Sequence, residues 1–171
     1  MSNMISFNGT IASDTDLHMS NLGTNVFINV LVLSGSALAQ TESEKRLVVY
    51  LAEKDQAKIG RGYVGFDIVE MPWDRKTFEQ DKKFMIKVID GARNKIGWKK
   101  LDYSPSKTFV LHWMNLFETL VNKMTIDKIQ DNSLNDWLSE SEASDPIYCN
   151  FPRCKIHGVF LTCFGCQICN N

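Results

Sequence analysis

The chain has 171 residues, 44% of them apolar and 23% charged, with a formal net charge of −1. That length and composition suit one folded unit with a sizeable core and argue against disorder over most of the chain. The near-neutral balance excludes a protein drawn by overall charge alone onto nucleic acid or an anionic membrane surface.

The N-terminal part, as far as Met71, reads as strands. Residues 4–11 are short and mixed in polarity. Residues 26–33 are β-branched and apolar apart from Asn29, which is the pattern of a strand buried on both faces. Residues 46–51 form a second such run. Residues 63–71 form a third, ended by Pro72. Ser36-Ala37-Leu38-Ala39-Gln40 imitates a secretion-signal cleavage site, but no Lys or Arg precedes Lys45, and Asp14 and Asp16 lie upstream. A signal needs a basic start. The run at 26–33 is also too short to span a bilayer. The expectation is a buried strand in a cytoplasmic protein that does not engage a membrane.

Two helices follow. Thr77 and Gln80 make a capping-box pattern, Met85, Val88, Ile89, Ala92 and Ile96 recur on one face, and Gly97 supplies a left-handed stop. Ser104 as N-cap and Pro105 at the first helical position open the second helix. Its apolar stripe runs through Val110, Trp113, Met114, Phe117, Leu120, Val121 and Met124. Both helices should pack on the sheet. A short third helix is expected over 133–138, with Asp136 near its N-terminus, where the helix dipole favours an acid. The predicted fold class is α+β. An N-terminal β-sheet packed by two long helices occupies 1–146, and a C-terminal zinc-binding tail occupies 147–171.

Charge is distributed unevenly. Residues 78–100 hold seven basic side chains against three acids. Residues 126–146 hold six acids (Asp127, Asp131, Asp136, Glu140, Glu142, Asp145) against Lys128 alone. Such runs are usually solvated faces, but an acidic run can also receive a basic partner.

All five cysteines fall between 149 and 169. Cys154-Lys-Ile-His157 and Cys166-Gln-Ile-Cys169 are two pairs with two residues between ligands, so each makes a tight turn offering two soft or borderline donors. Zinc takes four such donors in a tetrahedron. Gly158 follows His157 and Asn170 follows Cys169, and both tolerate the left-handed backbone that a chelating turn often needs. Phe164 follows Cys163, which favours Cys154, His157, Cys166 and Cys169 as the ligand set. Cys149 and Cys163 are then spares, or one replaces a ligand. The tail resembles zinc ribbons and zinc knuckles, in which a CxxHG turn faces a CxxC turn. The short stretch from Gly158 to Gly165 suits a compact knuckle. Four protein ligands leave no place for water, so the zinc is expected to be structural. Reduced thiols, or disulfides in an exported protein, are the competing readings.

No catalytic motif stands. Gly60-Arg61-Gly62-Tyr63-Val64-Gly65 matches GxGxxG, but strand follows where a dinucleotide site needs a helix. A kinase would need HRD and DFG segments, which the sequence lacks. No Glu stands beside His157, as a zinc deaminase requires. His18 and His112 are isolated. Asp67, Glu70 and Asp74 cluster at a strand-to-helix turn, where they could bind a divalent ion or simply face solvent.

Residues 64–121 resemble the immunity proteins of bacterial polymorphic and contact-dependent toxin systems. Gly65-Phe66-Asp67-Ile68, Met71-Pro72-Trp73-Asp74, Phe84-Met85-Ile86-Lys87-Val88-Ile89-Asp90, Gly97-Trp98 and Leu101-Asp102-Tyr103-Ser104-Pro105 carry the likeness. It implies a small cytoplasmic protein, not an enzyme, that blocks one cognate toxin, often a nuclease. Asp127, Asp131, Asp136, Glu140 and Glu142 would then help receive a basic toxin surface. The alternative reading is a zinc-knuckle protein that binds nucleic acid or regulates transcription. Only Arg153 and Lys155 flank the tail's first turn as cations, which makes nucleic acid the lesser expectation.

Overall fold

The computed structural model describes residues 3–8, 14–54 and 65–170. The fold is mixed α/β, with five α-helices among the described residues and a small three-stranded sheet near the N-terminus. Residues 26–33, expected as a strand, instead lie inside α1, the helix Asn21–Leu38. Ser20 caps α1 by accepting the Gly23 N–H at 3.1 Å. Phe27, Ile28, Val30, Leu31 and Val32 are all fully buried. A helix enclosed on nearly every side loses the 3.6-residue alternation of a surface helix, so its local pattern matches that of a buried strand.

The same correction applies to 46–51, which lie in α2, Glu42–Glu53. Here Thr41 Oγ1 accepts the Glu44 N–H at 3.3 Å, and Glu44 Oε2 accepts the Thr41 N–H at 3.0 Å. This reciprocal pair is a capping box, and it fixes a helix start where β-branched composition suggested a strand.

The strands are β1 (Asn3–Ser6), β2 (Leu17–Met19) and β3 (Gly65–Asp67), in the order β2-β1-β3. β1 pairs antiparallel with β2, setting Ile5 opposite Leu17, and parallel with β3, setting Ile5 opposite Phe66. Of the third expected strand, only Gly65–Asp67 pairs; Ile68–Glu70 turns as a 3-10 helix. The ends of the expected strands at residues 9–11 and 63–64, and the glycine-rich segment from Gly60 to Val64, lie outside the described residues.

The two expected helices form as α3 (Phe78–Arg93) and α4 (Lys107–Asn122), and the short one as α5 (Ser133–Ser139). Their ends differ from expectation. Thr77 caps no backbone group; its hydroxyl donates to Asp81 Oδ2 at 2.7 Å. The N-cap of α4 is Ser106, with Pro105 outside the helix. α3 stops at Arg93, before Gly97, although Gly97 does take a left-handed φ of 77°.

α1 packs against both α2 and α3, and α3 packs in turn on α4. The helices thus pack chiefly on one another, while β2 touches α1 and α4. Gly91 permits the α1–α3 contact, because a Cβ there would sit 2.1 Å from Ser34 Oγ, which donates to Val88 O at 2.7 Å. Phe27 of α1 meets Phe117 of α4 edge-on, with ring centroids 5.3 Å apart. Phe151, Val159, Phe160, Cys166 and Ile168 of the tail join the same hydrophobic core as the helices.

α1 also corrects the estimate of apolar length. Its 18 residues are long and apolar enough to cross a bilayer by length and composition, but 67% of that span is buried within the fold. A core helix of a soluble protein has the same properties, and the structure is compatible with a soluble protein.

Candidate metal centre

The tail begins after a 3-10 turn at Pro146–Tyr148 and folds back on itself. Arg153 and Phe160 form an antiparallel bridge, and Leu161 N–H donates to Pro152 O at 2.9 Å. Between these arms lies the first turn, where Cys154 N–H donates to Val159 O and Gly158 N–H to Cys154 O, both at 2.8 Å. Gly158 has φ 69°, the left-handed geometry expected from its position after His157. Thr162 and Gly165 close a second tight reversal that delivers Cys166 and Cys169 to the same point. Asn170 is not left-handed as expected; its side-chain amide instead donates to Phe164 O at 2.8 Å and fastens the end of the tail.

Cys154, His157, Cys166 and Cys169 converge, with their ligand atoms all within 4.8 Å of one another. The Cys154 and Cys169 sulfurs are 3.7 Å apart, where zinc–sulfur bonds of about 2.3 Å in a tetrahedron require about 3.8 Å. His157 Nδ1 lies 3.7, 3.6 and 3.3 Å from the sulfurs of Cys154, Cys166 and Cys169, against about 3.6 Å for the same tetrahedron. The two turns also match one another. His157 N–H points at Cys154 Sγ and Cys169 N–H at Cys166 Sγ, each at 3.4 Å, so each turn's backbone supports its first thiolate. This group could bind a metal ion, and its donors and spacing are consistent with zinc.

Burial pushes the Cys154 thiol up, but the His157 and Ile156 backbone N–H groups and the Cys166 and His157 side chains outweigh it and bring it down to about 6. Burial and the neighbouring Cys166 and Cys154 push the Cys169 thiol up to about 11. Opposite shifts on touching thiols mean that the first negative charge holds a proton on its neighbour. A divalent ion removes that conflict by taking the ligands as thiolates.

The centre is anchored to α1. Arg153 Nη1 donates to Ser36 O at 2.6 Å, and Phe160 N–H donates to Ser36 Oγ at 3.1 Å. Gln167, fully buried, donates to Asn29 Oδ1 at 3.2 Å, and Asn29 in turn donates to Tyr103 OH at 2.9 Å. Lys100 Nζ donates to His157 O at 2.9 Å. Cys149 and Cys163 stand outside the four, both exposed.

Asp127, Asp131, Asp136, Glu140 and Glu142 are all exposed. Asp131 is engaged by Arg75, whose Nε and Nη2 donate to its Oδ1 at 3.1 and 2.6 Å. Asp127 lies in the 3-10 turn Ile126–Lys128, where a hydrogen bond from Thr125 holds its carboxyl below the usual range. Asp136 and Glu140, four residues apart at α5, share a face.

The Asp67–Glu70–Asp74 cluster has local work to do. Asp67 accepts from Asn8 N–H, Val69 N–H and Ser6 Oγ, Glu70 caps the Asp67 N–H, and Asp74 accepts the Lys76 N–H. These carboxylates shape turns. An apolar patch escaped the sequence reading. Leu22 is 74% and Phe109 60% exposed, and Phe109 stacks on half-buried Trp113 beside a cavity of about 460 Å³. Helical periodicity placed Trp113 in the core stripe, where it forms only the rim.

No known protein family, curated protein or solved structure matches the chain.

Proposed function

We propose that Cys154, His157, Cys166 and Cys169 hold one structural zinc ion, and that the chain is a cytoplasmic, non-catalytic immunity protein that neutralises a cognate bacterial toxin by direct binding. The zinc proposal rests on the near-tetrahedral spacing of three sulfurs and one nitrogen. Four protein ligands fill a zinc coordination shell, which suits a staple better than a reaction centre.

The observation that carries the binding reading is the acidic edge at α5. Asp136, Glu140 and Glu142 are exposed, and none forms a salt bridge among the described residues, whereas Asp131 is held by Arg75. Free surface acids attract a basic partner and accelerate encounter more than they tighten the final complex. The sequence resemblance supplies the class of partner, a toxin, often a nuclease. The test uses the toxin found by co-purification or encoded beside this chain. Replacing Asp136, Glu140 and Glu142 by Asn or Gln should slow association by about tenfold at low salt and flatten its salt dependence, with dissociation less affected. An unchanged association rate removes the acidic edge from the interface. Failure of the chain to protect cells from that toxin removes the immunity reading.

A second reading has its own observation. Ile156, in the first ligand turn, is 76% exposed between Lys155 and His157, and exposed Lys100 donates to His157 O. A basic surface with an apolar tip beside a zinc turn suits single-stranded nucleic acid. Salt-sensitive mobility shifts lost in Ile156→Ala and Lys155→Ala would favour this reading over the first.

A further inference from the structure

Cys163, left over from the four-ligand centre, has its own company. Its sulfur, a Glu53 carboxylate oxygen and an Asp145 carboxylate oxygen all lie within 4.8 Å of one another. The three come from distant places: the end of α2, the residue capping the 3-10 turn at Pro146–Tyr148, and the reversal between Thr162 and Gly165. Each carboxylate is half used. Trp137 Nε1 donates to Glu53 Oε2 at 2.9 Å, and Ile147 N–H donates to Asp145 Oδ1 at 3.0 Å. The other oxygen of each has no donor among the described residues. Asp145 as a whole is only 5% exposed. A cavity of about 470 Å³ opens beside it, lined by Glu140, Glu142, Ser144, Asp145, Pro146, Thr162 and Cys163.

We infer that Glu53, Asp145 and Cys163 form a second metal site, which takes a borderline divalent transition ion through one thiolate and two carboxylates and leaves a coordination position open to this cavity. A thiolate with two carboxylates suits zinc, cobalt(II) or iron(II) rather than magnesium or calcium, which take oxygen alone. The bonds from Trp137 and Ile147 orient the two carboxylates, as supporting groups do around bound metals. Three protein ligands leave room for water or a small anion, one ligand fewer than at the four-ligand centre. The ion should therefore bind more weakly and exchange faster. This inference does not depend on the immunity reading.

Cobalt(II) added to the intact, zinc-loaded chain tests it, because a thiolate bound to cobalt gives a charge-transfer band in the near ultraviolet. One equivalent of cobalt beyond the resident zinc should produce that band without releasing zinc. Cys163→Ser should abolish it, Cys149→Ser should leave it intact, and Glu53→Gln, which keeps an acceptor for Trp137, should weaken binding by at least about tenfold. Cys163 and Glu53 are at the surface or half-buried, so circular dichroism of both variants serves as a folding check. A chain that gives no band up to millimolar cobalt, or a band that survives Cys163→Ser, overturns the inference.

Discussion

Around α1, order comes from apolar surface. Phe27, Ile28, Leu31 and Val32 are sealed by neighbouring helices, and the contacts are close enough that a glycine is required at Gly91. The tail beyond Cys149 is organised differently. It adds a few apolar side chains to the shared core, but its course is set by two chelating turns, Gly158, and polar ties from Arg153, Phe160 and Gln167 to α1. Apolar burial is cooperative and non-directional, whereas ligand convergence is local and depends on an ion. The two regions should therefore fail separately and for different reasons.

The largest effect belongs to the helical layer. Leu31→Ala should destabilise the whole chain by about 3–5 kcal/mol, because it leaves a cavity where no neighbour can collapse easily. Urea unfolding followed by circular dichroism should show one shifted transition with zinc content unchanged in the folded fraction. The tail should respond to metal instead. Chelation or Cys169→Ser should release the Cys154, Leu161 and Thr162 amides to rapid hydrogen exchange while α1 and α3 keep their protection. Loss of protection throughout would show that the tail opens only with the rest of the fold. Gln167→Ala is a smaller perturbation of the same joint. It removes the bond from Gln167 to buried Asn29 and should cost about 1 kcal/mol, read as faster exchange in the tail.

The smallest effect is a pH slope in the helical layer. Asp81 is fully buried at the start of α3; burial raises its pKa, against the lowering hydrogen bonds from Ser43 and Thr77. A carboxyl raised in the folded state stabilises the fold below its unfolded value of 3.8, and that contribution is lost as pH rises through the folded value. Unfolding free energies measured upward from about pH 3.8 should decline from this source, and Asp81→Asn should flatten the decline. An unchanged slope in the variant assigns the pH dependence to other groups.

What the sequence disclosed follows the same division. The ligand turns were legible because chelation depends on short spacing, and Gly158 marks one turn directly. The amphipathic helices α3 and α4 were legible because each has one wet face. α1 was not, because enclosure erases periodicity, and 26–33 reads equally as strand or helix until its neighbours are known. α2 carried a usable signal that β-branched composition concealed: Thr41 and Glu44, three residues apart, form its capping box. Thr77 and Gln80 show the same spacing without the bonds, since Thr77 is drawn to Asp81. Glu53, Asp145 and Cys163 could not be associated from sequence at all, because tertiary packing alone brings them together.

Cys154, His157, Cys166 and Cys169 are proposed to hold one zinc ion. Elemental analysis and X-ray absorption on the chain purified without added metal and freed of loosely bound ions test it most directly. A variant combining Cys149→Ser and Cys163→Ser leaves only the proposed thiols. One zinc per chain is expected in that variant, bound by three sulfurs and one nitrogen. Folded, reduced protein carrying almost no zinc, or a variant that loses its zinc with the two outside cysteines, would contradict it.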